Sequence, residues 1–245
     1  MSGQAPIDSR IIVALDVPSL DDARALGRAV AHAVGMFKVG LELFVQAGPA
    51  SLRVGVECGL PTFLDLKLHD IPETVERAVG RASAIGARFL TVHAAGGTAM
   101  LRSAVERARK EGAGLEILAV TVLTSLDRSD LACLGVSESV ERHVERLARN
   151  AWDAGVRSFV CSPHEAARLR DVLGPDATLV TPGVRASADA AKDDQKRTMT
   201  AAGAVAAGAD WVVIGRPIRD APDPAAAAQA LSKEVSEARA ARGGG

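Results

Sequence analysis

A phrase repeated along the chain constrains its fold more than any other feature. A helix-like stretch ends at glycine, and four or five β-prone residues then run into a polar or glycine-containing turn. Gly35 precedes residues 36–39, Gly59 precedes 62–66, Gly86 precedes 88–92, Gly155 precedes 157–161 and Gly208 precedes 211–214. Glycine just past a helix takes the left-handed backbone that closes it, so each phrase reads as helix stop, then strand. Residues 11–15, 115–122 and 177–181 bring the strands to eight, most starting 20 to 40 residues apart with Ala-, Arg- and Glu-rich helical stretches between them. Ser19 with Asp22, Pro72 and Pro163 mark helix starts. Continuous apolar strands separated by amphipathic helices mean a parallel sheet covered on its outside. Eight such units in 245 residues predict an α/β fold, a closed (β/α)8 TIM barrel, rather than an open doubly wound sheet.

Nothing along the chain suggests a linker or a second domain, so residues 1–245 are expected to form one domain with its core at about 10–240 and short flexible termini. A net charge of -1 leaves no basic field for nucleic acid or an anionic membrane, and no Tyr with two Trp and five Phe leaves no stacking platform. The odd, scattered cysteines Cys58, Cys133 and Cys161 predict neither a disulfide framework nor a zinc knuckle. With no secretory leader at residues 1–10 and no apolar run of membrane-spanning length, a cytoplasmic setting is expected.

In such a barrel the site lies at the C-terminal ends of the strands. The third strand runs Thr62-Phe63-Leu64-Asp65-Leu66-Lys67-Leu68-His69-Asp70. A period of two puts Asp65 and Lys67 on one face while Leu64, Leu66 and Leu68 face the helices. Lys38 ends the neighbouring strand and Asp16 the first. The plainest alternative is a structural ion pair, with Asp70 capping the helix that Pro72 begins. Charges on one inward face cost several kcal/mol each in desolvation, so their convergence points to chemistry instead. The chain has only six lysines against twenty-three arginines, and Lys38 and Lys67 both lie in apolar segments.

A second cluster joins Val213-Ile214-Gly215-Arg216-Pro217 to Thr181-Pro182-Gly183-Val184-Arg185. Loops after strands seven and eight are where barrels usually bind phosphate, through close-approaching backbone N–H groups and an arginine fork. The polar connection 184–197, about fourteen residues, has the length of a lid. His32, His69, His93, His143 and His164 show no zinc spacing, and no nucleophile-elbow, Walker or dinucleotide motif is present. His93, ending the fourth strand, reads as a core or wall residue.

Asp65-Leu66-Lys67-Leu68-His69-Asp70-Ile71-Pro72-Glu73-Thr74-Val75 closely resembles the active-site signature of the orotidine 5'-phosphate decarboxylases. The resemblance spans nearly the whole chain. It takes in Val13-Ala14-Leu15-Asp16, Phe37-Lys38-Val39-Gly40, Leu123-Thr124-Ser125, Thr181-Pro182-Gly183-Val184-Arg185 with Gln195, and Ile214-Gly215-Arg216-Pro217, while Glu73 stands where many relatives have Asn. It implies a carboxy-lyase that converts orotidine monophosphate to uridine monophosphate and carbon dioxide with no metal or organic cofactor. By the same resemblance Lys38, Asp65, Lys67 and Asp70 form an alternating charge network, and Asp70, Ile71 and Thr74 reach into the site of a second subunit in a homodimer. Asp16 and Lys38 would hold the ribose, Thr124 and Ser125 the pyrimidine edge, and Arg185, Gln195, Gly215 and Arg216 the phosphate. Two rivals remain at this point: a magnesium-dependent sugar-phosphate decarboxylase or aldolase sharing D-x-K-x-x-D, and a non-catalytic nucleotide binder.

Overall fold

The computed structural model describes residues 9–182 and 199–243. Eight strands, β1 (Ile11–Ala14), β2 (Met36–Val39), β3 (Thr62–Leu68), β4 (Ala87–His93), β5 (Glu116–Val120), β6 (Ser158–Val160), β7 (Thr178–Thr181) and β8 (Trp211–Ile214), pair in parallel and in chain order. β8 closes on β1 with Ile11 opposite Val212, so the sheet has no free edge and forms the expected TIM barrel. Around it run α1 (Leu20–Val30), α2 (Leu41–Ala47), α3 (Arg53–Cys58), α4 (Pro72–Ala84), α5 (Gly97–Glu111), α6 (Arg128–Cys133), α7 (Val140–Asp153), α8 (Pro163–Leu173), α9 (Ala201–Ala206), α10 (Arg216–Arg219) and α11 (Pro224–Gly243).

The two faces of the strands bury different layers. Ile11, Val13, Phe37, Leu64, Leu90 and Ile117 point outward into the main core beneath the helices. Ile12, Ala14, Met36, Phe63, Phe89, Leu118, Val180 and Val213 point inward and plug the barrel. Phe89 packs edge-on against both Phe63 and Trp211, at 6.1 and 6.4 Å between ring centres. The interior is therefore a packed floor, and any ligand must sit above it.

Four of the five stop glycines behave as the phrase predicts, with φ of 70° at Gly59, 84° at Gly86, 99° at Gly155 and 112° at Gly208. Gly35 is a correction. Its backbone is not left-handed, and a Cβ there would run into the Ser9 carbonyl and the Trp211 ring, so close approach rather than conformation requires the glycine. Ser19 caps α1 by accepting from the Asp22 N–H at 3.1 Å, but the Asp22 carboxylate bonds back to the Ser19 hydroxyl. A complete capping box opens α8, where Ser162 and Glu165 satisfy each other's backbone around Pro163. The three cysteines are free thiols, and no helix among the described residues is long and apolar enough to cross a membrane.

Candidate active site

At the C-terminal ends of the strands a cavity of about 540 Å³ opens over the apolar plug, a size suited to a small-molecule ligand. Ala14, Phe63, Val120, Val160 and Val213 form its base. Four charged side chains from three adjacent strands stand on one side, linked in a chain. Lys38 Nζ lies 3.0 Å from Asp16 Oδ1 and 3.7 Å from Asp65 Oδ2. Lys67 Nζ lies 2.8 and 2.9 Å from the two oxygens of Asp65. Ammonium and carboxylate alternate, so each charge that lost water on folding regains an opposite neighbour.

β3 delivers this arrangement through a local break in its regularity. Leu64 pairs with Leu90 and Leu68 with Val92, so four steps along β3 run against two along β4. The surplus residues bulge, and Lys67 takes φ of 51°, the one left-handed non-glycine backbone among the described residues. Asp65 and Lys67 do share a face, as the period of two predicts, but across an irregular backbone rather than a uniform pleat. Thr91, fully buried on β4, accepts from the Lys67 backbone N–H at 2.9 Å and donates to Asp65 Oδ1 at 2.9 Å.

Burial by itself would raise the Asp65 pKa. Lys38 and Lys67, with hydrogen bonds from Lys67 and Thr91, outweigh it and hold the carboxyl below the ordinary aspartate value. His93 packs against His69 with ring centres 5.4 Å apart and the planes tilted by 42°. Burial, then His69 and Lys67, push its pKa down, with Asp65 partly opposing them. His93 does not line the cavity, in keeping with the wall reading.

Gly40, two residues after Lys38, packs closely beneath the Lys38–Asp16 pair. A Cβ at that position would come within 2.9 Å of Lys38 Nζ and 3.0 Å of Asp16 Oδ1.

The rest of the cavity is lined by Leu123, Thr124 and Pro182, and, next to the end of β1, by Gly215 and Arg216. Gly215 is the N-cap of α10 and Arg216 its first residue, and both line the cavity. Ser125 is exposed and lies outside the lining. Gly183, Val184, Arg185, Gln195 and the 184–197 connection lie outside the described residues.

Asp70, Ile71 and Thr74 are exposed and also lie outside the cavity of their own chain, with Ile71 65% accessible. Asp70 does not cap α4: the cap position is Ile71, and Asp70 Oδ1 instead accepts from the Ile71 N–H at 2.6 Å. The cap alternative for Asp70 is thereby removed. Glu73, the departure from the motif, pairs with Arg77 one turn along the exposed side of α4.

Sequence reasoning missed three participants. Thr91 was invisible because a threonine inside a strand is ordinary β composition. Arg219 lines the cavity and donates to the Asp16 carbonyl at 2.9 Å, tying the α10 turn to the end of β1. Its position one helical turn after Arg216 was the available signal. Phe63 was legible by parity, two residues before Asp65.

A family model for orotidine 5'-phosphate decarboxylase / HUMPS family proteins matches residues 9–231. The orotidine 5'-phosphate decarboxylase of Anaeromyxobacter sp. (strain K) is 56% identical over 223 residues, covering 91% of this chain and 96% of the relative. That of Moorella thermoacetica is 49% identical over 232 residues, covering 92% of each. Among solved structures, orotidine 5'-phosphate decarboxylase from Lactobacillus acidophilus superposes with a TM-score of 0.80 at 33% identity, covering 93% of this chain and 99% of that one. The charged mouth and its apolar floor thus belong to a member of the orotidine 5'-phosphate decarboxylase / HUMPS family.

Proposed function

We propose that this chain is an orotidine 5'-phosphate decarboxylase, a carboxy-lyase that releases carbon dioxide from orotidine 5'-monophosphate to leave uridine 5'-monophosphate in pyrimidine nucleotide synthesis. The observation that carries the reading is the Lys67 ammonium, held by both oxygens of Asp65 above an apolar floor, with Lys38 on the far side of the same carboxylate.

Loss of carbon dioxide from C6 of the pyrimidine leaves an electron pair in the ring plane, where the π system cannot accept it. Stabilisation must therefore come from a fixed charge. An ammonium about 4 Å from the developing carbanion contributes roughly 4 kcal/mol at an effective dielectric of 20. Lys67 supplies that charge and then gives C6 its proton. Asp65 holds the ammonium in place, and the substrate carboxylate is crowded against it until carbon dioxide leaves.

One lysine cannot supply the whole barrier lowering of roughly 8 to 23 kcal/mol typical of enzymes, so binding of the remote groups supplies the rest. Asp16 and Lys38 hold the ribose hydroxyls, Thr124 and Ser125 the pyrimidine edge, and Gly215 and Arg216 the phosphate together with Arg185 and Gln195. Residues 1–245 form one barrel domain in this reading. Asp70, Ile71 and Thr74 complete the site of a second copy in a homodimer, for which the exposure of Ile71 and the freedom of Asp70 from capping speak. The cytoplasm is the proposed location.

The magnesium-dependent alternative is disfavoured by Lys38, whose ammonium lies between the carboxylates of Asp16 and Asp65. The test is the fall in ultraviolet absorbance as purified protein consumes orotidine 5'-monophosphate in excess chelator. Full turnover is expected, and activity abolished by the chelator would overturn the reading.

A further inference from the structure

The described chain buries four threonines in strands or just past a strand end, Thr62, Thr91, Thr121 and Thr181, and Thr91 differs from the last two in what its hydroxyl does. Thr121 donates to the Val160 carbonyl at 3.1 Å and Thr181 to the Trp211 carbonyl at 3.4 Å, each stitching its strand to the next. Among the described residues the Thr91 hydroxyl bonds to no carbonyl. It meets the two catalytic residues of β3 instead, one through the backbone and one through the side chain.

The hydrogen directions follow from the donor inventory. The Lys67 N–H can only donate, and the ionised Asp65 carboxylate can only accept. Thr91 Oγ1 therefore receives the Lys67 N–H on a lone pair and sends its single proton to Asp65 Oδ1. The register explains why a side chain is needed there. Between the Leu64–Leu90 and Leu68–Val92 pairs, β3 spends Asp65, Leu66 and Lys67 while β4 spends Thr91 alone. A regular ladder would offer the Lys67 N–H a backbone carbonyl. At the bulge the Thr91 hydroxyl takes that role, at the residue whose backbone is left-handed against the preference of a side chain with a Cβ.

We infer that Thr91 is a positioning residue for the decarboxylation, fixing the bulged Lys67 backbone and the Asp65 carboxylate with one hydroxyl so that the Lys67 ammonium is aimed into the cavity. The inference rests on the decarboxylase reading above and assigns Thr91 no contact with substrate. Its work is geometric: with the hydroxyl gone, a buried N–H and a carboxylate lone pair each lose a partner, and the bulge is free to relax toward a regular strand. Lys67 and Asp65 then keep their chemistry and lose their aim, a displacement that acts on the transition state more than on ground-state binding.

The test compares wild type, Thr91→Val, which is nearly isosteric and lacks the hydroxyl, and Thr91→Ser, which keeps the hydroxyl and lacks the methyl. Each is assayed for kcat and KM with orotidine 5'-monophosphate and for binding of uridine 5'-monophosphate by calorimetry. Thr91→Val is expected to lower kcat about 100-fold with KM and product affinity held to within about threefold, and Thr91→Ser to recover most of the loss. If Thr91→Val does not fold, Thr91→Cys, close in volume and a weak donor, takes its place with the same expectation. Wild-type kcat in Thr91→Val or Thr91→Cys, or a fall in Thr91→Ser as deep as theirs, overturns the inference while leaving the decarboxylase reading intact. An inactive wild-type enzyme removes that reading, and the inference with it.

Discussion

The two ends of the barrel hold similar charge pairs and use them differently. At the N-terminal end, Arg170 on α8 donates to the carbonyls of Gly174, Pro175, Ala177 and Gly208 and to Asp210 Oδ2 at 2.6 Å. Asp210 also accepts the Leu179 N–H at 2.8 Å, and Arg242 closes on Asp210 Oδ1 and on two more carbonyls. The donors there are spent on the protein itself, and the planar guanidinium suits that use because it offers several fixed directions at once. At the mouth the cations are lysines. Lys67 has three donors and, among the described residues, they meet the two oxygens of one carboxylate, with 31% of its side chain still accessible. A compact ammonium that is held but not saturated can face a ligand and release a proton, which an arginine cannot. In a chain with twenty-three arginines and six lysines, the closed end follows the common choice and the mouth departs from it.

That contrast can be broken from either side. The largest expected effect is at the mouth: Asp65→Asn leaves Lys38 and Lys67 facing each other without their shared carboxylate, and kcat should fall about 10³-fold. Stopped assays against wild type at equal substrate saturation measure it, and a loss confined to KM would argue against the aiming role of Asp65. At the closed end the prediction reverses. Arg170→Ala should lower unfolding free energy by about 2 kcal/mol, less than for a fully buried pair because Arg170 and Asp210 are each about a quarter accessible. Urea titration reads the loss, and kcat should stay near wild type.

A finer probe is Gly40→Ala. The added methyl presses on both Lys38 Nζ and Asp16 Oδ1, and a rise in KM of about tenfold is expected with the fold unchanged. The smallest effect concerns pH. The folded-state pKa of His93 is depressed, so the unfolded chain binds its proton more readily. The stability contributed by neutral His93 is complete above its ordinary value of about 6.5 and is lost as pH falls through the folded-state value. His93→Gln should therefore flatten the loss of stability on the acid side. Denaturation series at several pH values would show it, and an unchanged slope would remove His93 from the account.

How much of this was legible in the sequence follows from what kind of signal each feature leaves. All eight strands were readable because glycine stops and β-branched runs are local signals, and the closed parallel order then followed from their number. Asp65 and Lys67 were readable because a charge in an apolar strand is conspicuous. Lys38 and Asp16 added to the signal by ending adjacent strands. The bulge at residues 65–67 was not, since it is a mismatch between β3 and β4 that neither strand reveals alone. Thr91 was hidden for the same reason. Its partners lie 24 and 26 residues away along the chain. Gly35 looked like the other stop glycines and serves the packing of Ser9 and Trp211 instead, a tertiary reason that leaves no local trace.

The central claim is that the mouth pair serves chemistry while the closed-end pair serves stability, and Lys67→Ala tests it most directly. One preparation is assayed for turnover of orotidine 5'-monophosphate and for unfolding free energy. The account predicts a fall in kcat of about 10⁵-fold, from the lost charge and the lost proton donor together, with stability held to within about 1 kcal/mol of wild type. Turnover near the wild-type rate, or a collapse of stability matching that of Arg170→Ala, would contradict it.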